Sequence, residues 1–256
     1  WLLVESTYGN RTHPENPEDE LAKTIQEVAD QKGCLIIPSF AVGRTQEIIY
    51  TIRKLEDQGK IPAIPVHIDS PMAIDATDIY CAHPEEHDLD MKLLMDKKLC
   101  PLCCKKSYIH RTPEDSKAIN DLPGPLIIIS ASGMVTGGRV LHHLKLRLPD
   151  PKTTLLFVGF QALGTRGRTL QDGKTEIKML GEIITIRAKA KTIDGFSAHA
   201  DQQEILRWLG SFKKAPRKTF VIHGEPAASE ALATLLREKL KWSAEVPRNG
   251  ETVVLS

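Results

Sequence analysis

No apolar run in the 256 residues approaches the roughly 20 needed to span a bilayer as a helix. The opening Trp1-Leu-Leu-Val4 has no basic stretch before it and no small-residue cleavage site after it. It is therefore expected to be a strand rather than a secretory leader. The chain has no initiator Met and opens inside that strand, so it is expected to be a piece of something longer. Its five cysteines are odd in number and irregular in spacing, which argues against a disulfide framework. Cys100-x-x-Cys103 has zinc-knuckle spacing but no second pair to complete four ligands, and the expectation is reduced, cytoplasmic thiols partly in a core. Internal repeats and low-complexity tracts are lacking. So are a P-loop, a dinucleotide-binding glycine fingerprint and the Gly-x-Ser-x-Gly elbow of a Ser-His-Asp hydrolase. Strong charge of either sign is lacking too: the formal net charge is +1, which selects no partner.

A composition of 41% hydrophobic and 26% charged residues is that of an ordinary globular chain. Strands are expected at Leu2–Ser6, Cys34–Pro38, Ile64–Asp69, Ser107–Arg111, Leu126–Ile129, Thr153–Val158, Glu182–Arg187, Thr219–Ile222 and Val253–Leu255. Helices are expected from Pro17 to Gln31, where Gly33 stops the chain, and from Gly43 to Gly59. Further helices are expected over Pro71–Tyr80, Asp88–Leu99, Glu114–Asn120, Arg139–Leu148, Gln203–Leu209 and Ala228–Leu240. Strands alternating with helices through residues 34–160 predict an α/β fold, a parallel sheet covered on both faces. Ligands of such sheets sit outside the carboxyl ends of the strands. The loops after Pro38, Ile129 and Val158 fall there.

Several stretches could carry chemistry. His199, in Asp194-Gly-Phe-Ser-Ala-His-Ala-Asp201, is expected on a turn between the strand Glu182–Arg187, which leads towards it, and a helix, where a side chain can reach into a cleft. The same turn also reads as a helix start capped by Ser197 or Asp201. His223, in His223-Gly-Glu225, follows an apolar strand directly, a good place for a metal ligand with an open approach. A buried His bonded to a carbonyl is the alternative. Glu5 ends the first strand. One carboxylate and two imidazoles at strand ends could share a cleft, though that count is too small for a metal site alone. The loop Ser130–Gly138 holds three glycines and three hydroxyls between a strand and a helix. It could cradle an oxyanion on backbone N–H groups at Ser132 and Gly133, or be a plain tight turn. Gly164-Thr-Arg-Gly-Arg168 could grip phosphates through Arg166 and Arg168, or be an exposed basic turn. Residues 133–193 hold eleven Lys/Arg against four Asp/Glu, a balance of +7 that leaves the remainder at −6. Such a segment suits a polyanion or a solvated face equally.

Six stretches occur together and in order: Glu5-Ser-Thr-Tyr-Gly9, Pro38-Ser-Phe-Ala-Val-Gly-Arg-Thr-Gln-Glu47, Asp69-Ser-Pro-Met-Ala73, Ser132-Gly-Met-Val-Thr-Gly-Gly-Arg139, Phe196-Ser-Ala-His-Ala-Asp201 and Val221-Ile-His-Gly-Glu225. In this order and spacing the chain resembles the β-CASP branch of the metallo-β-lactamase superfamily, the branch of the cleavage-and-polyadenylation nuclease and ribonuclease J. The resemblance covers essentially the whole chain. It implies a Rossmann-like β-CASP domain at residues 10–190, inserted into a partial metallo-β-lactamase αββα domain at 1–9 and 191–256. It implies that Glu5 orients His199, that His199 acts near the scissile phosphate, and that His223 holds one of two zinc ions. Ser132 and Gly133 match a region lining the substrate phosphates. His rather than Val at position 223 favours RNA over DNA.

The family's His-x-His-x-Asp-His motif, which supplies most zinc ligands, is missing, and so are the ligands that come just before Glu5's motif. They are expected upstream of Trp1. The expectation is therefore the C-terminal portion of a zinc-dependent RNA nuclease of the cytoplasm. That portion is expected to be inactive alone, to bind RNA, and to be open to homo-oligomerisation. The alternatives are a non-catalytic RNA-binding scaffold of the same branch, or a hydrolase of DNA or small phosphoesters on the same fold.

Overall fold

The computed structural model describes residues 1–96 and 100–255. In chain order, β1 (Leu2–Glu5) is followed by α1 (Pro17–Asp30), β2 (Cys34–Pro38), α2 (Arg44–Asp57), β3 (Val66–Ile68), α3 (Pro71–Ala82) and α4 (Leu89–Asp96). Then come β4 (Ser107–Ile109), α5 (Pro113–Ala118), β5 (Leu126–Ser130), α6 (Val140–Arg147), β6 (Thr153–Phe157) and α7 (Arg166–Gln171). The chain ends with β7 (Glu176–Met179), β8 (Glu182–Thr185), β9 (Lys189–Thr192), α8 (Gln202–Gly210), β10 (Thr219–Ile222), α9 (Pro226–Lys239) and β11 (Ala244–Glu245). Two compact units result, Asn16–Phe196 and Trp1–Glu15 with Ser197–Ser256.

The unit Asn16–Phe196 is built on a six-stranded parallel sheet of order β4-β3-β5-β2-β6-β9. Cys34-Leu-Ile-Ile-Pro38 and Leu126-Ile-Ile-Ile-Ser130 are buried at every position. Continuous apolar runs of this kind are what a strand needs when helices cover both faces. The side chains alternate as a period of two requires. Leu35, Ile37, Ile127 and Ile129 enter a core with Leu21 and Ile25 of α1 and Ile48, Ile52 and Leu55 of α2. Cys34, Ile36, Leu126 and Ile128 enter the opposite core, with Val140 and Leu144 of α6 and Ile177, Met179 and Ile184 of the β7–β8 hairpin. Truncating one such isoleucine to Ala would cost about 2–5 kcal/mol.

Helix ends follow local chemistry. Pro17 sits in the first turn of α1 with Glu18, Asp19 and Glu20, where carboxylates complement the helix dipole. Lys32 takes the left-handed conformation (φ 48°) after this helix, and the Gly33 N–H donates to the Val28 carbonyl at 2.9 Å. Gly33 is required for a different reason than stopping the helix: a Cβ there would run into the Lys152 carbonyl. Ser70 caps α3, its hydroxyl accepting the Ala73 N–H, with Pro71 next. At the sheet's rim, β9 (Lys-Ala-Lys-Thr) carries two lysines on an edge strand, which discourages further pairing. Lys191 also forms an ion pair with Glu27.

In the unit Trp1–Glu15 with Ser197–Ser256, β10 lies between β1 and β11, parallel to both. Val4 and Val221 pack with Ile205 and Leu209 of α8 and Leu232 and Leu236 of α9.

Four sequence expectations are corrected. Val253–Leu255 forms no strand: Val254 is 84% exposed, and the short β11 takes the place beside β10 instead. Gly164–Arg168 is not a loop throughout, because Arg166 opens α7 with Thr165 as its N-cap. Glu182–Arg187 does not lead to the His199 turn; β8 pairs back onto β7, and β9 intervenes. Cys100 and Cys103 are joined in a disulfide, their Cα atoms 5.3 Å apart, inside the span a disulfide bridges. Cys34 and Cys104 are buried thiols and Cys81 an exposed one; burial pushes the Cys34 and Cys104 thiols up to about 12. The helix expected over Asp88–Leu99 is present to Asp96, and Lys97–Leu99 lie outside the described residues. Among the described residues no helix is long and apolar enough to cross a membrane.

Candidate active site

Register brings the first two groups together. β1 and β10 run parallel with Glu5 beside Ile222, so Glu5 and His223 leave the sheet at the same edge. The next turn locks them there. Ser6 is buried, its Oγ donating to the Ile222 carbonyl at 2.8 Å and lying 2.8 Å from Ser229 Oγ. Gly224 lies against Ser6 so closely that a Cβ would meet both the Ser6 hydroxyl and its carbonyl. His223 itself has φ 54°, the left-handed region that few residues other than Gly adopt. That conformation turns the chain away from β10 and leaves the imidazole exposed.

His199 is carried in by the start of α8. Asp201 is its N-cap and forms a reciprocal capping box with Glu204, which satisfies two otherwise orphan N–H groups. The other Asp201 oxygen accepts the His13 N–H at 2.7 Å, and Tyr8 bridges Asp201 in parallel fashion. The Gln202 N–H donates to the Arg11 carbonyl at 3.1 Å. Burial opposes ionisation of Asp201, but the Glu204 and His13 amides outweigh it and hold the carboxyl below its usual range. The capping role read from the sequence and the placement of His199 beside Glu5 are thus two aspects of one structure. His13, Asp201 and Glu204 form a second group of potential metal donors. Both Asp201 oxygens, however, already accept backbone amides.

Glu5, His199 and His223 converge, with ligand-capable atoms within 4.8 Å of one another. Glu5 Oε1 lies 3.3 Å from His199 Nδ1, and the two imidazole rings stack with centroids 5.4 Å apart. Thr7 ties the group together. Its N–H donates to Glu5 Oε2 at 2.8 Å and its hydroxyl to the His223 carbonyl at 3.1 Å. Thr7 Oγ1 also lies 3.3 Å from Nδ1 of both His199 and His223. A hydroxyl has one proton to donate. With that proton on the His223 carbonyl, Thr7 Oγ1 can only accept, so both Nδ1 atoms carry hydrogen. Each Nε2 is left with a lone pair for a metal or a proton. The exposed His223 imidazole fits one position of a divalent zinc ion, which takes imidazole nitrogen in catalytic sites, while Glu5 and His199 engage each other. Thr7, Ser6 and Gly224 were not singled out from the sequence. Their only signal was their position beside Glu5 and His223.

The remaining candidates lie in the unit Asn16–Phe196. Ser132 Oγ accepts the N–H groups of Thr136 and Gly137 at 3.0 and 3.2 Å, so those amides close the loop on its own hydroxyl. Gly133 packs against Phe40. Arg166 donates to the carbonyls of Lys178 and Thr136, tying α7 to the 132–138 loop. Arg168 pairs with Asp172 one helical turn on, at 2.9 Å. A buried network at the carboxyl end of β3 also went unread. Asp69 accepts from Ser116 Oγ and His143 Nε2, each at 2.6 Å, and from Arg139 Nη1 at 2.8 Å. Arg139 in turn donates to the carbonyls of His110 and Arg111. Burial pushes Asp69 up, but His143, Ser116 and Arg139 together hold it below the ordinary carboxylate range.

Residues 45–170 match the Beta-Casp domain family, and residues 183–247 match the family described as a Zn-dependent metallo-hydrolase RNA specificity domain. The chain is 35% identical over 266 residues to the transcription termination factor FttA of Pyrococcus abyssi, covering 99% of this chain and 40% of that protein. It is 35% identical over 239 residues to ribonuclease TTHA0252 of Thermus thermophilus, covering 92% and 54%. It is 36% identical over 253 residues to an RNase J-like protein of Methanocaldococcus jannaschii, covering 97% and 58%. The chain thus spans roughly half the length of these relatives. With both domain families matched in sequence order and the motif residues Glu5, His199 and His223 gathered at one sheet edge, the chain belongs to the β-CASP branch of the metallo-β-lactamase family.

Proposed function

We propose that this chain is part of a zinc-dependent RNA nuclease that hydrolyses phosphodiester bonds, with Asn16–Phe196 acting as the β-CASP domain. The observation that carries the reading is the convergence of Glu5, His199 and His223 on Thr7. The names of the relatives, a ribonuclease and an RNase J-like protein among them, support RNA as the substrate. We place the protein in the cytoplasm, where such an RNA would be met.

Each residue has a role that follows from its surroundings. Glu5, an acceptor when ionised, holds the His199 Nδ1–H and fixes the tautomer and ring orientation. That leaves Nε2 of the protonated imidazole to place a proton on the departing oxygen, a contribution typically of 10²–10⁴-fold. His223 would hold zinc through its free Nε2, and zinc so bound would supply a Lewis acid and an activated water. Thr7 keeps both rings in register by accepting from both Nδ1 atoms. Ser132, Gly133, Arg166 and Arg168 are proposed to line the path of the RNA phosphates through their unit, whose segment 133–193 carries the +7 balance.

The test is cleavage of an end-labelled single-stranded RNA by the intact protein with zinc, beside a DNA of the same sequence and a small phosphodiester. His199→Ala is expected to slow RNA cleavage by about 100-fold or more. His223→Ala is expected to slow it comparably and to lower the bound zinc. Undiminished cleavage by both variants sinks the assignment. Preferential cleavage of the DNA or the small ester moves it to another substrate.

A further inference from the structure

The C-terminal end of α8 carries an aromatic surface that the site chemistry does not use. Trp208 is 54% exposed and Phe212 38% exposed, one helical turn apart. The two rings meet edge to face at 5.5 Å, and Phe212 meets Trp242 edge to face at 5.6 Å. Trp242 is buried in the core beneath α8 and α9. Three rings therefore form a ladder from core to solvent, with the outermost held in place from below. Ser211 fixes the turn between them, its hydroxyl donating to the Trp208 carbonyl at 2.6 Å. Large, rigid aromatic faces presented to water mark a binding surface more often than chance.

The chain that carries these rings is cationic beyond Glu204, which stands one turn before Trp208 and is engaged in the Asp201 capping box. From Ile205 to Gly224 there are five Lys/Arg and no Asp or Glu. Lys218 is engaged with Glu245 and lies over Phe220. Arg207, Lys213 and Lys214 are exposed, and no ion pair among the described residues involves them. Protein interfaces favour Trp and Phe but are depleted in Lys. Single-stranded nucleic acid takes both at once, bases stacking on aromatic faces while cations follow the phosphates. We infer that Trp208 and Phe212, with Arg207, Lys213 and Lys214, form an RNA-binding exosite for a single-stranded segment outside the catalytic cluster. Trp208 stands seven residues beyond Asp201, about 10 Å along the helix axis. The exosite and His199 are thus at opposite ends of α8. The inference rests on RNA being the substrate, and it adds where a strand is gripped away from the bond being cut.

The experiment measures binding of a fluorescein-labelled single-stranded oligoribonucleotide to the intact protein by anisotropy over a range of salt, in a His199→Ala background so that the strand stays whole. Trp208→Ala is expected to weaken binding by roughly 5- to 100-fold, the effect of losing one stacked base, and Trp208→Phe to restore most of it. Lys213→Gln with Lys214→Gln is expected to lower the slope of log affinity against log salt by about 1.4, some 0.7 for each phosphate contact. These two lysines do not enter the core, so this arm decides even if Trp208→Ala folds poorly. If the parent binds RNA while both variants keep its affinity and slope, the exosite is wrong and the RNA assignment stands. No RNA binding by the parent would overturn both. A change in sedimentation on Trp208→Ala with RNA affinity unchanged would make the surface a protein contact and overturn the exosite.

Discussion

Thr7 is the residue on which the cluster of Glu5, His199 and His223 turns. Its hydroxyl proton goes to the His223 carbonyl, and its lone pairs face two imidazoles that lie 192 and 216 residues away in sequence. Thr7→Val keeps the shape and removes every one of those bonds. His223 then loses the partner that fixes its tautomer and His199 keeps only Glu5, and a residue in such a supporting position typically costs 10–100-fold in metal affinity or activity. We expect Thr7→Val to lower zinc affinity, read by calorimetric titration, and RNA cleavage by that amount. Thr7→Ser should keep both, and Thr7→Val behaving as the parent would remove Thr7 from the site. Gly224 tests packing at the same place. A methyl group there meets the Ser6 hydroxyl and the Ser6 backbone carbonyl, and the hydroxyl cannot move aside without breaking its bonds to Ile222 and Ser229. Gly224→Ala should cost about 1–3 kcal/mol by urea denaturation, the usual range for overpacking. Glu5, His199 and His223 were legible from the chain because polar residues directly beyond apolar strands or before a helix stand out. Thr7 was not, because a hydroxyl in a turn is commonplace and its two long-range partners are set only by strand register.

At the scale of elements, α8 shows how a cap becomes part of a site. Asp201 satisfies the Glu204 N–H and the His13 N–H, and Glu204 reaches back to the Asp201 N–H. Asp201→Ala removes the cap and releases the strap that holds His199 two residues before it. The expected loss is about 1–2 kcal/mol, measured by urea denaturation, together with slower RNA cleavage. Asp201→Asn should recover most of the stability, because its side-chain oxygen can still cap. A variant with full stability would mean that the cap contributes nothing. The capping reading of this turn was available from the sequence because Asp three residues before Glu is a local signal. Central strands were equally legible: β2 was expected at Cys34–Pro38 and found there, since a strand buried on both faces must be apolar throughout. Elements defined by a partner were not. The two-residue β11 exists only because β10 lies beside it, and Val253–Leu255 is apolar yet has no neighbour to pair with. Arg166 and Arg168 were placed in a loop because their run of Gly and Arg carries no apolar period. The cap supplied by Thr165 shows itself only in three dimensions.

For the molecule as a whole, the buried histidines and Asp69 set how stability follows acidity. His67 is buried on β3, its Nδ1 3.0 Å from His110 Nε2 and its ring stacked on Tyr108. Burial, then the charges of His110, Arg147 and His143, bring its pKa down to about 4, with Asp69 alone acting the other way. The unfolded chain binds that proton near pH 6.5, so between roughly pH 6.5 and 4 the unfolded state holds more protons than the folded one. Stability is then fully present above about pH 6.5 and falls as the pH drops towards 4, by at most roughly 3 kcal/mol. Asp69 acts in a second, more acidic window. Its folded pKa lies below the usual carboxylate range, so its contribution is present above about pH 4 and is lost only as the pH falls through the folded value. Urea titrations followed by circular dichroism should therefore show a decline beginning near pH 6.5 and a second below about pH 4. His67→Phe keeps the stack on Tyr108 and carries no proton. It should shrink the first decline to the part owed to His110, whose imidazole burial likewise holds below its usual range, and leave the second, whereas a His67→Phe protein with an undiminished loss between about pH 6.5 and 4 would place that loss on other groups.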